Sequence, residues 1–511
     1  MGYESEIDSD ASAPVSRTVQ PSERLSPDPS LRQAPRMETN WFSKRYLIAF
    51  LAFFGFANIY ALRVNLSVAI VAMTSNFTVI GHNGEEIVVP PEFDWDRELQ
   101  GKILSSFFYG YILTQVAGGW LACQYGGVRL FGMGVLTTAA LTLLTPLAAK
   151  IHVYLLVATR VLEGMFEGVT YPAMLGIWSR WAPPCERSRL VTITLSGSYF
   201  GTVAAMAVSG AIAQHLNWAS IFYVLGMIAL FWCFLWCFLI RESPLHDPWV
   251  SEAEKNYIQE SIGPSLRAKR VRVPWKSVLT SAPVWAIVAA HFSENWGFYT
   301  LLTELPTFMS DTFHMKIMNG NMLASLPYLV MGIVVQSSGF LADWLRSSGH
   351  LSTMQVRKMF TCAGFLCQTI FLIAAAHSPN ALTTILSLTI AVGFGGFAWS
   401  GFSVNLLDIA PQYAGVLMGI SNTVATIPGL LSPILTSHIT KDQIASEWKL
   451  VFYLCAACYV MGAVVYGLLA SGKVQPWASV TLLDETVSIL DDQSSTEDLL
   501  SVNSTHRATQ E

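Results

Sequence analysis

Three charged residues stand where a membrane helix should carry none. Arg160, Glu163 and Glu167 fall inside an apolar run from Val153 to Trp178, and roughly 20 such residues suffice to cross a bilayer as a helix. At spacings of i, i+3 and i+7 they share one helix face. Each charge near a bilayer centre costs on the order of 3 kcal/mol on insertion scales, so that face must look onto protein or a water-filled cavity. Two carboxyls a turn apart, facing such a cavity, can take up a proton on one side of a membrane and release it on the other, titrating as a pair. Arg160 favours their charged form, which makes one glutamate its natural fixed partner. A salt-bridged triad that merely sets helix packing is the bland alternative.

Of thirty lysines and arginines, Arg63 and Arg160 fall deep inside apolar runs. Arg63 sits in Tyr60-Ala61-Leu62-Arg63-Val64-Asn65-Leu66-Ser67, and its guanidinium suits two-point binding of a carboxylate or phosphate. A structural ion pair with an acid on another helix is the competing reading. Glu294, in the run from 283 to 309, either joins a proton path or balances Arg63. Glu304, just before Pro306, reads as a gate or mouth residue. Tyr60, Tyr109, Asn295, Trp296, Tyr299, Asn405 and Asn422 are candidate linings of a polar cavity, although each taken singly is more often packing. Asp343 and Arg346 read as a charged clasp at a helix end. Cys455 and Cys458 have a redox-type spacing but sit in an apolar run with no second pair, which favours packing; no metal site is expected.

These residues need a scaffold, and the composition supplies one. Hydrophobic residues make up 52% of the 511 and charged residues 13%, about half the charged share of a soluble domain. Apolar runs fall near 47–73, 101–122, 128–149, 153–178, 190–213 and 218–240, then near 283–309, 320–342, 357–376, 382–406, 412–436 and 449–471. The fold class is therefore an all-α membrane protein of twelve transmembrane helices in two six-helix halves. The expected division is a disordered tail at 1–43, an N-terminal half at 44–240, a linker at 241–282, a C-terminal half at 283–473 and a second tail at 474–511.

The halves repeat their punctuation. Gly119-Trp120-Leu121-Ala122-Cys123 ends the second run, and Gly339-Phe340-Leu341-Ala342-Asp343 ends the eighth, 220 residues later. Such duplication marks a transporter with its solute bound between halves near the midplane. No His-rich or nucleophile–base constellation argues for an enzyme, and a net charge of −5 suggests no nucleic-acid partner. Fourteen basic residues on one set of loops against five on the other place both termini in the cytoplasm. The sequon Asn76-Phe77-Thr78 then falls on the outer or lumenal side, where glycosylation is expected.

Several of these stretches are specific enough to carry a likeness: Tyr60 to Ala69, Ser106-Phe107-Phe108-Tyr109-Gly110-Tyr111, Glu167-Gly168-Val169-Thr170-Tyr171-Pro172-Ala173, Trp181 to Ser188, Asp408-Ile409-Ala410-Pro411-Gln412-Tyr413-Ala414-Gly415 and Asn422 to Gly429. Through them the chain resembles the major facilitator superfamily over about residues 41–477. The likeness is to its organic-anion branch of sialin, vesicular glutamate transporters and type I sodium–phosphate cotransporters. Sialin-like members carry both fourth-helix glutamates, as Glu163 and Glu167 stand here. Glutamate-transporting members have a glutamine at the first, a histidine where this chain has Leu104 and an arginine where it has Glu294. The phrase Thr303-Glu304-Leu305-Pro306-Thr307 looks more like invertebrate phosphate-cotransporter members. A sialin-like dileucine sorting signal is not visible in the N-terminal tail, and Asp498-Leu499-Leu500 is a weak substitute.

What the resemblance implies is a monomeric secondary transporter of small organic anions, sialic acid or another acidic sugar or carboxylate, coupled to protons by alternating access. Its residence would be a lysosomal, vesicular or plasma membrane. No cofactor is expected beyond a co-transported H+ or Na+. Sodium-coupled phosphate transport and potential-driven glutamate or aspartate transport stay open beside it.

Overall fold

The computed structural model describes residues 43–74, 77–80, 86–263, 272–313, 317–441 and 444–479. The expected glycosylation site at Asn76, the 1–42 and 480–511 portions of the tails and Asp498-Leu499-Leu500 lie outside them. The described helices are α1 (Lys44–Thr74), α2 (Arg97–Tyr125), α3 (Gly127–Ile151), α4 (Val153–Gly168), α5 (Thr170–Trp181), α6 (Arg187–His215) and α7 (Trp218–Leu239). Two short linker helices follow, α8 (Glu252–Ile262) and α9 (Trp275–Leu279). The second half holds α10 (Ala282–Phe313), α11 (Ile317–Ser347), α12 (Thr353–Ala376), α13 (Ala381–Ala398), α14 (Val404–Ile409), α15 (Ala414–Ile439) and α16 (Ala445–Leu469).

With α4–α5 and α13–α14 each counted as one rod, the described helices form twelve rods, six per half. Nine of the described helices are long and apolar enough to span a membrane by length and composition. The fourth rod falls short because it is broken. Pro172 has no N–H to give the Gly168 carbonyl one turn back, so the helix ends and restarts around Val169. One turn of π-helix at Trp399–Ser403 interrupts the tenth rod. The extra residue frees the Ser400 carbonyl, which accepts from Arg357 at 2.8 Å.

The halves meet along two seams, α6 against α11 and α2 against α15. One end of the bundle carries the linker; the opposite end carries a small antiparallel hairpin, β1 (Phe77–Ile80) and β2 (Glu86–Val89), leaning on α6. Close approach of α2 and α4 needs glycine at two facing points. A Cβ on Gly110 would strike the Val161 carbonyl, and one on Gly164 the Phe107 carbonyl. With no water to drive helices together in lipid, such small-residue contacts carry the packing.

Two stretches differ from the expected tails. Ser43 is buried, its carbonyl accepting from Tyr46 and Leu47. Residues 474–479 pack against the end of the tenth rod, with Gln475 N donating to Ile409 O at 2.8 Å and Ala478 fully buried. The linker is likewise more than a hydrophilic loop. Glu254 on α8 accepts from Lys44 N, Arg45 N and the Arg45 guanidinium, clamping the start of α1. Arg45 also donates to Glu186 at 2.6 Å, and Tyr257 lies under its guanidinium. Burial, with Glu186 beside it, pushes the Tyr257 phenol above its usual range.

Candidate functional site

The charged residues of the fourth rod divide into two pairs of unlike character. Arg160 donates to Glu163 at 2.5 Å, and the other Glu163 oxygen accepts from Thr142 and Thr145 at 3.1 and 3.2 Å. This carboxylate has its acceptor sites filled by three donors from two helices. Glu167 has the opposite condition. One of its oxygens takes both the Nε and the Nη2 of Arg63, while the other is buried with no partner among the described residues. The acid that sequence spacing could not supply for Arg63 is therefore Glu167, across from it on another rod.

Arg63 stands in an aromatic cage. Its guanidinium carbon lies 4.5 Å from the Tyr60 ring centre, 5.0 Å from that of Phe107 and 4.8 Å from that of Tyr111. Ring faces attract a cation most when water is excluded, and the arginine side chain is 10% exposed. Arg160 reaches the same cage from behind, near the Phe107 ring and donating to the Arg63 carbonyl at 3.3 Å.

Beside the cage lies a small cavity between the halves. Tyr60, Tyr111, Tyr171 and Tyr199 line it from one half, and Asn295, Phe298, Tyr299, Trp399 and Asn422 from the other. Its volume of about 20 Å³ is room for a water molecule. Tyr60 and Tyr171 share a hydrogen bond of 2.9 Å. Asn422 donates to Tyr111 at 3.0 Å and to Gln115 at 2.6 Å, so the halves touch directly across the midplane.

On the linker side the halves are locked. Asp343 accepts from the N–H groups of Ser188 and Arg189, at 3.1 and 2.8 Å, in the first turn of α6. A carboxylate at a helix N-terminus is favoured by the unpaired N–H groups and the helix dipole there. Arg346 pairs with Asp343 at 3.8 Å and donates to the Pro184 carbonyl at 3.2 Å. Asp408 joins Arg357 at 2.7 Å and, from the other half, Arg187 at 3.3 Å. The Asp343–Arg346 clasp thus bridges the halves.

The remaining candidates fall in other places. Tyr109 is 56% exposed and faces outward, two residues and so just over half a turn from buried Tyr111. Asn405 is buried between the tenth and twelfth rods, donating to Tyr466 at 2.9 Å, and does not line the cavity. Trp296 is buried against Phe292, also off the cavity. Glu294 does not balance Arg63. It lies within the second half and accepts from Gln368 at 2.9 Å. Glu304 is half-buried at the hairpin end of α10. Among the described residues no cluster of His, Cys, Asp and Glu could hold a metal ion. Sequence reading passed over Tyr111 and Gln115, although Phe107, Tyr111 and Gln115 repeat at i+4 and so had to share the face that Arg63 meets.

The family model of the Major Facilitator Superfamily matches residues 45–433. The chain belongs to this superfamily. Among superfamily relatives, human sialin is 45% identical over 467 residues, covering 88% of this chain and 94% of sialin. Human vesicular glutamate transporter 2 is 43% identical, covering 88% of this chain and 78% of that protein. The structure of the proton:xylose symporter XylE superposes with a TM-score of 0.63 at 14% identity, over 84% of this chain and 97% of that one; that likeness concerns the fold. As a major facilitator the chain is a multi-pass membrane transporter, not an enzyme.

Proposed function

We propose that the chain carries small organic anions, an acidic sugar or similar carboxylate, together with protons by alternating access. The observation that carries this reading is that, among the described residues, the carboxylate paired with Arg63 is Glu167, through one oxygen, at the edge of the inter-half cavity. An ionised Glu167 and a solute carboxylate would compete for one guanidinium. A proton arriving on Glu167 ends the ion pair and frees Arg63 to grip the solute. When Glu167 ionises on the other side it recaptures Arg63 and expels the anion. Proton and anion then move together because neither state is stable with half its load; an unpaired charge in that dry site costs several kcal/mol. Tyr60, Asn295 and Tyr299 would line the solute site, Arg160 and Glu163 would be its fixed support, and Asp343 with Arg346 would open and close the linker face. Glu304 would guard the mouth on the hairpin side.

The excess of basic residues on the linker side supports placing that face, and both termini, in the cytoplasm. The hairpin face would then look into a lysosomal or vesicular lumen or outside the cell, and the chain would work as a monomer. The similarity of vesicular glutamate transporters favours a second reading, acidic amino-acid transport driven by membrane potential. Uptake of labelled sialic acid, glutamate and phosphate into proteoliposomes, under a pH gradient, a sodium gradient or a potential, separates these. Sialic acid uptake that follows the pH gradient and disappears with Arg63→Ala is the expected result. Sodium-dependent phosphate uptake indifferent to pH would overturn it, as would glutamate uptake driven by potential alone.

A further inference from the structure

Glu294 is a buried acid that the Arg63–Glu167 exchange does not use. Its residue is 1% exposed, and its described polar partner is the Gln368 side-chain amide. Around it stand Gln368 from α12, Gly395 from α13, Met331 from α11, and the phenols of Tyr459 from α16 and Tyr199 from α6. On its own helix His291 points elsewhere, bonded to Ser421 at 2.9 Å. None of these is a cation. Nor can the first half supply one, since Arg63 and Arg160 are each already paired with their own glutamate.

An isolated carboxylate in such a place costs far more than its protonated form. The site also suits the acid chemically. A primary amide offers the N–H that a carboxyl oxygen accepts, and an oxygen to which an acid O–H can donate. Glycine at 395 is what leaves space for the carboxyl, because a Cβ there would collide with Oε1. Release of a proton needs a way to water, and the fold supplies one. Phe298, one turn along α10, lines the central cavity, and its ring packs on Tyr199 at 5.9 Å and Tyr328 at 5.4 Å. The carboxyl is thus one aromatic layer from the space that must hydrate as the halves separate.

We propose that Glu294, with Gln368, holds a second exchangeable proton inside the C-terminal half, separate from the Arg63–Glu167 pair. This rests on the proton-coupled reading for its role in transport, but not for its chemistry. The carboxyl takes its proton from water while the cavity is open to the acidic side, gives it up once the cavity opens to the other side, and returns as the carboxylate with the Gln368 amide donating to it. Each cycle then moves one more proton than Glu167 alone would carry.

The test uses the full chain and Glu294→Gln, which keeps the shape of the neutral acid and its contact with Gln368. Infrared spectra of the purified protein should show a protonated-carboxyl band that Glu294→Gln removes and that shifts on exchange into deuterated water. In proteoliposomes, simultaneous labelled sialic acid and pH-dye recordings should give a proton-to-anion ratio that drops by one proton in the variant. Uptake by the variant should also lose the dependence on membrane potential that the extra charge confers. Absence of a band assignable to Glu294, or a band that never exchanges, overturns the proposal, and so does an unchanged ratio. If the wild type moves neither sialic acid nor glutamate, the transport reading fails by itself, and exchange of the Glu294 band still decides whether the proton site exists.

Discussion

Two glutamates four positions apart on one helix have opposite accounts of themselves. Glu163 is saturated by Arg160, Thr142 and Thr145, whereas Glu167 shares a single oxygen with Arg63 and leaves the other bare. Removing one partner of a buried pair costs about 3–5 kcal/mol because it strands the other charge. Glu163→Gln should therefore lower the yield and melting temperature of purified protein, and adding Arg160→Gln should restore part of the loss; additive losses would contradict the pairing. Glu167→Gln cannot ionise, so it should never recapture Arg63. Its expected signature is retained exchange of labelled for unlabelled anion across the membrane, with gradient-driven uptake at background and no dependence on pH. Arg63→Lys keeps the charge but not the two-point geometry, and should cost roughly tenfold or more in uptake at limiting solute, against complete loss in Arg63→Ala.

At the scale of elements, what fixes the geometry of this site is how closely α2 and α4 approach. Gly164 sits against the Phe107 carbonyl, with no space for even a methyl group. Gly164→Val should push the helices apart at the level of the cage, with an overpacking cost of about 3 kcal/mol or more. The checks are a fall in monodisperse protein on size-exclusion chromatography and loss of uptake; a well-folded, active variant would show that the approach is dispensable. This contact also marks how far the sequence could be read. The rods were legible because twelve apolar runs must each cross a bilayer, and the charged face of the fourth was legible from spacing alone. Which charge meets which was not, since Arg63 and Glu167 are 104 residues apart and nothing in a one-dimensional pattern fixes their azimuths. Tyr109 shows the same failing. It shares a segment with Tyr111, yet one faces outward and the other the cavity. Asn405 is polar enough to suggest a cavity lining, but the turn of π-helix before it is part of what sets its azimuth in the tenth rod.

For the whole molecule, the decisive feature is that the linker face is shut by contacts between halves, and that the two repeats shut it unequally. Asp343, one turn before the end of the eighth rod, meets the N–H groups of α6, whereas the matching position in the first half is Cys123, whose thiol makes a contact of 3.5 Å with the Gln412 carbonyl. A thiol is a weak donor and carries no charge to set against a helix N-terminus. Most of the closing energy must then come from the Asp343 side and from Asp408, which binds arginines of both halves. Asp408→Asn removes the charge that holds Arg187 and Arg357 together, and the two guanidiniums should then repel. Cys123 is a built-in reporter of the outcome, because it lies at the seam and is partly exposed. In a chain whose other seven cysteines are replaced, a membrane-impermeant maleimide applied from the linker side should label Cys123 severalfold faster once Asp408→Asn is introduced. A rate unchanged by Asp408→Asn would mean that the Asp343 clasp alone keeps this face closed. Addition of Asp343→Asn would then have to produce the acceleration, since among the described residues Asp343 and Asp408 are the carboxylates that bind across the halves on that face.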